Sequence, residues 1–195
     1  ESAWRHVKLI AHVQKGKAAW AAAEHLDIMK RTLQWMADHV GEYPYPVLSV
    51  VDPAADAREA DGMEYATLFT ATVPRKKGLL QEIARITVIH ELVHQFFQGM
   101  VATDEMNHAW MDEGLTSYYE ARIYEDLFGQ EFRPPQARIT ILDTQRLGLP
   151  HEPPDFPLDT RVGNFPSFDE YGEASYDRPS VVFAMLDRRI GKEAT

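Results

Sequence analysis

A short run of metal-binding and acid–base side chains lies near the middle of the chain, in the sequence His90-Glu91-Leu92-Val93-His94. On an α-helix, residues four apart lie on the same face, so both imidazoles can reach a single ion. Glu91 lies one step round the helix, beside the open coordination position of that ion. This combination of residue types and spacing indicates a zinc site with a built-in general base.

The residues around this run are strongly apolar, among them Ile89, Leu92 and Phe96. An alternative interpretation makes the run a piece of solvated helix with two ordinary histidines. The apolar flanks instead predict a helix that is buried nearly all round. Buried imidazoles and carboxylates need partners, because desolvating a polar group without compensation costs about 2 kcal/mol or more. A metal ion supplies such a partner.

The third predicted zinc ligand is Glu113, which follows His94 after eighteen intervening residues. Asp112 is a plausible helix N-cap, and apolar residues recur at helical spacing from Leu115 to a stop at Gly129. Glu113 then lies in the first turn, where the alternative is a carboxylate that simply stabilises the helix dipole. Two histidines and one glutamate leave a fourth position for water, which indicates a catalytic rather than a structural zinc site.

Glu120 lies two helical turns beyond Glu113, on the same predicted face. From there either carboxylate could hold a ligating histidine through a hydrogen bond. We therefore predict a supporting role for Glu120 behind the zinc ligands. The alternative is an ordinary charge on the helix surface.

Three sequence blocks, in the same order, carry a resemblance to a known enzyme family. They are the H-E-L-V-H run with the glutamate of W-M-D-E-G at 110–114, the block G-M-E-Y-A at 62–66, and the block Y-D-R-P-S at 176–180. Together they resemble the gluzincin metallopeptidases, and specifically the M1 family of zinc aminopeptidases, whose matching blocks are G-x-M-E-N and Y-x-K-G. Tyr65 replaces the family's asparagine, Arg178 keeps the basic charge, and Pro179 replaces the glycine. The resemblance runs from about Lys17 to Lys192.

The resemblance implies one zinc ion, held by His90, His94 and Glu113, and a peptide substrate with a free amino terminus. Glu91 is then the base that takes a proton from the water on the zinc. Hydrolysis of an amino-terminal peptide bond would follow.

Two further roles follow from the resemblance. Tyr176 stabilises the oxyanion of the reaction, for which a phenol is a suitable donor. Tyr171, five residues earlier, is the alternative phenol. Glu64 binds the substrate's amino group, since a carboxylate at the start of a strand suits a cationic amine. The alternative for Glu64 is a surface strand glutamate.

The residue pattern predicts an α+β fold in one domain, 1–195, with a β-rich part over about 1–78 and a helical part over about 79–195. Strands are predicted at 7–13, 47–51 and 63–73, and helices at 17–39, from 79 through the histidine run, from 113 to 128, at 136–147 and at 179–190. The resemblance makes this a thermolysin-like zincin, in which a small mixed β-sheet precedes a mainly helical lobe and the active-site cleft lies between them.

Composition limits the possible partners. The formal charge of −10 and the pI near 5.2 argue against nucleic acid or an anionic membrane as partner. The lack of cysteine excludes disulfides and thiolate ligands without indicating a compartment. No apolar run approaches the length of a membrane span. Members of the resembled family carry a β-rich domain before this segment and a helical one after it, so we expect those flanking domains to be missing here.

Two other functions stay open at this point. A zinc endopeptidase, or another hydrolase, would use the same metal site, and peptides with free or blocked amines would separate it from an aminopeptidase. A non-catalytic M1-like binding domain would be expected to lose the base or a ligand, whereas Glu91 and the three ligands are present here. The sequence therefore favours an aminopeptidase.

Overall fold

The protein is described by a computed structural model that covers residues 1–17, 19–129, 141–149 and 156–191. These residues form two compact units, one from Glu1 to Met100 and one that begins at Val101. No helix in the described ranges is long and apolar enough to cross a membrane.

The first unit contains a five-stranded mixed sheet with the strand order β1-β2-β3-β5-β4. Its strands are β1 (Ser2–Trp4), β2 (Val7–His12), β3 (Val47–Val51), β4 (Met63–Tyr65) and β5 (Leu68–Thr70). The central strands β2, β3 and β5 run parallel, and β1 and β4 pair antiparallel at the two sides. β4 is thus the outermost strand on its side among the described residues.

Two helices pack together in this unit, α1 (Ala19–His39) and α2 (Leu79–Val93). The apolar positions of α1 recur every three or four residues, which buries one face that includes Ile28, Leu33 and Met36. The central strand β3 is buried almost along its whole length, as parallel strands usually are. α2 packs against this buried face of the unit through α1.

The predicted single strand at 63–73 is wrong, because the chain reverses within it. β4 and β5 are two strands of an antiparallel hairpin, joined by Ala66 and Thr67. Thr67 has a φ of 60°, in the left-handed region that reverses the chain here. The turn leaves Glu64 opposite Phe69 on the neighbouring strand.

The second unit is helical in the described residues. Its elements are a π-helical turn at Trp110–Gly114, α3 (Leu115–Phe128), α4 (Ile141–Gly148), α5 (Phe168–Gly172), a second π-helical turn at Glu173–Asp177, and α6 (Arg178–Ile190). The predicted order of a small mixed sheet followed by helices is confirmed. The part of the predicted helix at 136–147 that precedes residue 141 lies outside the described residues.

The boundaries of α3 differ in part from prediction. Gly129 ends the helix with a φ of 92°, as predicted for a C-terminal stop. Asp112 was predicted to be an N-cap, and this is wrong: it lies inside the π-helical turn, and Ala109 precedes that turn. Glu113 is therefore carried by a wider helical turn that leads directly into α3.

The two π-helical turns lie very close together at Gly114. A β-carbon added to this glycine would lie 2.3 Å from Cγ of Pro179 and 3.1 Å from the carbonyl oxygen of Ser175. Only a glycine allows this approach without displacing its neighbours. Gly114 thus brings the turn that carries Glu113 next to the turn that carries Tyr176.

Candidate active site

The two predicted histidine ligands converge in the first unit. His90 lies in the last turn of α2, and His94 caps the helix directly after Val93. Their Nε2 atoms lie 3.2 Å apart. Two nitrogens that each lie 2.0–2.1 Å from one tetrahedral zinc ion are roughly 3.3 Å apart. The pair therefore fits a single zinc ion.

The surroundings of His94 favour the ring form that a metal requires. The residue is 2% exposed, and its Nδ1 lies 3.3 Å from the backbone carbonyl of Phe97. A proton on Nδ1 would donate to this carbonyl and leave the lone pair of Nε2 for a metal. The backbone thus orients the ring toward His90.

The predicted base and the predicted amine-binding residue lie in the same unit. Glu91 is 4% exposed, and its Oε1 would lie 3.4 Å from a β-carbon added at Gly62. Gly62 directly precedes β4 and has a φ of 66°. A carboxylate oxygen of Glu64, on β4, lies within 4.8 Å of a ring nitrogen of His94. The first unit therefore gathers Glu64 and Glu91 around the histidine pair.

The second unit brings Glu113 and Tyr176 together. The Tyr176 hydroxyl donates a hydrogen bond of 2.6 Å to Oε1 of Glu113. Burial raises the pKa of Tyr176, and the nearby Glu113 and Tyr171 raise it further. The hydroxyl therefore stays protonated and keeps its ability to donate. The alternative phenol, Tyr171, packs edge-on against Tyr176 with ring centroids 6.0 Å apart.

A group of charged side chains lies near Asp177, the residue that follows Tyr176. Glu120 is 6% exposed on α3, which does not fit an ordinary surface charge. Burial, followed by the nearby Glu173 and Glu120, raises the pKa of Asp177 to about 6. Nε of Arg178 lies 2.9 Å from Oε1 of Glu173, although the two are not aligned as a hydrogen bond. Sequence reasoning missed Asp177 and Glu173, because single carboxylates in a polar stretch carry no spacing signal.

A family model supports the resemblance found in the motifs. Residues 24–195 match the peptidase family M1 domain. The chain also resembles the M1 zinc metallopeptidase from Deinococcus radiodurans in fold, with a TM-score of 0.54 at 19% identity, over 95% of this chain and 37% of that one.

Curated relatives point the same way. Aminopeptidase M1-C from Oryza sativa is 30% identical, and the match covers 95% of this chain and 22% of the relative. The alanine/arginine aminopeptidase from Saccharomyces cerevisiae is 25% identical over 86% of this chain and 20% of the relative. The chain thus spans about a fifth of the length of these relatives. With most of its length matched by the family model, the chain belongs to peptidase family M1.

Proposed function

We propose that this chain is the catalytic domain of a zinc aminopeptidase, which hydrolyses the amino-terminal peptide bond of its substrate. One observation carries the proposal: in a family M1 chain, Nε2 of His90 and Nε2 of His94 lie 3.2 Å apart, with Glu91 between them in the sequence. We assign one zinc ion to His90, His94 and Glu113, in accordance with the order and spacing of these residues in the sequence. The relatives named as aminopeptidases support the substrate class.

Glu91 is the proposed general base. A zinc ion, when bound, would polarise the scissile carbonyl and make a neighbouring water more acidic. The Glu91 carboxylate takes the proton of the attacking water and passes it to the leaving amine. Its burial keeps bulk water from competing for this proton.

Tyr176 is the proposed donor to the developing oxyanion. The packing of Tyr171 holds its ring, and during the reaction its single O–H would turn from Glu113 to the oxyanion. Glu120 is proposed to support a ligating histidine through a hydrogen bond. The role of Tyr176 follows the family's sequence order, whereas that of Glu120 follows from its position two helical turns beyond Glu113.

Glu64 is the proposed binding residue for the substrate's amino group. It lies on the outermost strand β4, to which an extended peptide could add as a further strand. A carboxylate there forms a charge-assisted hydrogen bond with an ammonium group. A peptide bound in this way presents only its first residue to the histidine pair, which makes the site specific for chain ends.

The proposal is tested by zinc content and by hydrolysis of an aminoacyl reporter, in the wild type, Glu91→Gln and the exposed control Glu59→Gln. We expect one zinc per chain in all three. Loss of the base should lower turnover about a thousandfold in Glu91→Gln alone, since general base catalysis contributes about 10²–10⁴-fold.

Three results would contradict the proposal. If Glu91→Gln turned over as fast as the wild type, Glu91 would not be the general base. If the chain took up no zinc, the assigned metal site would be wrong. A preference for amino-blocked peptides over free amines would favour an endopeptidase instead.

A further inference from the structure

Gln95 lies just beyond the C-terminal end of α2 and links it to the turn between β4 and β5. Its side chain is buried, at 4% exposure. Thr67 donates its backbone N–H to Oε1 of Gln95 at 2.9 Å, and Nε2 of Gln95 donates to the carbonyl of Tyr65 at 3.0 Å. These two backbone groups lie on either side of Ala66. One side-chain amide therefore holds both sides of the turn.

The turn needs this support. Thr67 is β-branched and has a φ of 60°, a conformation that such residues rarely adopt. β4 has only three residues, and in the described part of the chain it pairs with β5 alone. A short edge strand has few ladder hydrogen bonds, so its position depends strongly on the turn that follows it. Fixing this turn fixes β4.

We propose that Gln95 is a positioning residue for the amino end of the substrate, because it sets where β4 places Glu64. Gln95 directly follows His94, and a Glu64 carboxylate oxygen lies within 4.8 Å of a His94 ring nitrogen. The Gln95 amide thus fixes the position of Glu64 relative to His94, the residue next to it in the sequence. This inference rests on the proposed role of Glu64 in binding the amine.

Loss of the amide should loosen the turn without unfolding the unit. Tyr65 is 52% exposed, so water can reach this stretch once the amide is gone. The carbonyl of Thr67 keeps its own partner, the backbone N–H of Ser49 at 3.0 Å. The expected defect is therefore one of alignment.

The test compares Gln95→Met with Gln81→Met in the zinc-loaded chain. Gln81 is a matched control, since it is a buried glutamine of α2 whose Nε2 donates to the Glu24 carboxylate at 2.8 and 2.9 Å. We expect Gln95→Met to raise KM for a free-amine aminoacyl reporter about tenfold and to change kcat by less than about twofold, because the loss is one of binding. Gln81→Met should leave KM unchanged.

A second readout does not depend on turnover. The Thr67 amide hydrogen should exchange with solvent faster in Gln95→Met, whereas Gln81→Met should leave its exchange as in the wild type. Zinc content should be the same in all three proteins. A structural defect alone would change thermal stability without this pattern in KM.

The two proposals fail in different ways. If the zinc-loaded wild type hydrolyses the reporter and Gln95→Met keeps its KM, the inference is overturned and the proposed function stands. If the wild type shows no preference for free amines, the amine role of Glu64 is overturned, and the role of Gln95 with it.

Discussion

Asp177 is a residue whose ionisation opposes folding. It is half-buried next to Tyr176, and Glu173 and Glu120 are its acidic neighbours. Its folded pKa of about 6 lies above the ordinary value of 3.8, so the unfolded chain loses this proton at a lower pH than the folded one. The ionised carboxylate therefore destabilises the fold above about pH 6, and the penalty fades as the pH falls from 6 toward 4.

We predict that Asp177→Asn is more stable than the wild type at pH 8. The shift in pKa would correspond to about 3 kcal/mol in a fully buried group, and partial exposure reduces the expected gain in unfolding free energy to about 1 kcal/mol. Urea unfolding at pH 8 and pH 5 measures this gain in unfolding free energy, with Asp56→Asn, at an exposed position, as the control. The gain should shrink at pH 5, and an equal gain at both values would rule out ionisation as its cause.

The proximity of two side chains can be predicted from the sequence where one helix or strand carries both of them. The approach of His90 and His94 follows from their spacing of four, because the helical repeat fixes it. The two hydrogen bonds of the Gln95 side chain could not be predicted in this way. Its partners, Thr67 and Tyr65, lie 28 and 30 residues earlier in the chain, and only the packing of the hairpin against α2 brings them into reach.

At the scale of elements, the close contact of the two π-helical turns determines the second half of the candidate site. Gly114 lies where the turn at Trp110–Gly114 meets Pro179 of α6. The same approach puts the Glu113 carboxylate within 2.6 Å of the Tyr176 hydroxyl. A side chain at position 114 would therefore disturb a functional contact as well as the packing.

We predict that Gly114→Ala destabilises the chain by about 1–3 kcal/mol, as overpacking of a tight contact usually does. Chemical unfolding measures this loss, and zinc titration should show weaker binding because Glu113 is displaced. Gly172→Ala is the matched control, since Gly172 is helical and a β-carbon there would meet no atom within 4 Å. Equal stability of the two variants would show that the contact at Gly114 relaxes without cost.

Element boundaries were predicted well where a local stop signal exists. Gly129 is such a signal, and α3 ends there. The hairpin at 63–70 lacks one: the chain turns at Ala66 and Thr67, neither of which is a usual turn residue, so the alternating pattern predicted one continuous strand. At Asp112 the N-cap signal was misleading, because a helical turn that begins at Trp110 already includes this residue.

At the scale of the whole molecule, the succession of strand and helix patterns predicted the α+β class, and packing between distant segments determines the units. A division near residue 78 follows the change from strands to helices in the sequence. The first compact unit extends to Met100, because α2 packs on α1 and also contacts β4 and β5. Such contacts between distant segments cannot be obtained from local periodicity.

Zinc should stabilise the folded chain, because the fold of the first unit holds His90 and His94 at the spacing that one ion requires. Binding to the folded state adds about 2.7 kcal/mol when free zinc is 100 times its dissociation constant. For a chain of this size that corresponds to a rise in Tm of roughly 5–10 °C, which a chelator should reverse. Thermal unfolding of the wild type, His90→Ala and the exposed control His6→Ala measures the effect. His90→Ala should lose the response to zinc and His6→Ala should keep it, and a rise of the same size in His90→Ala would mean that zinc binds the fold elsewhere.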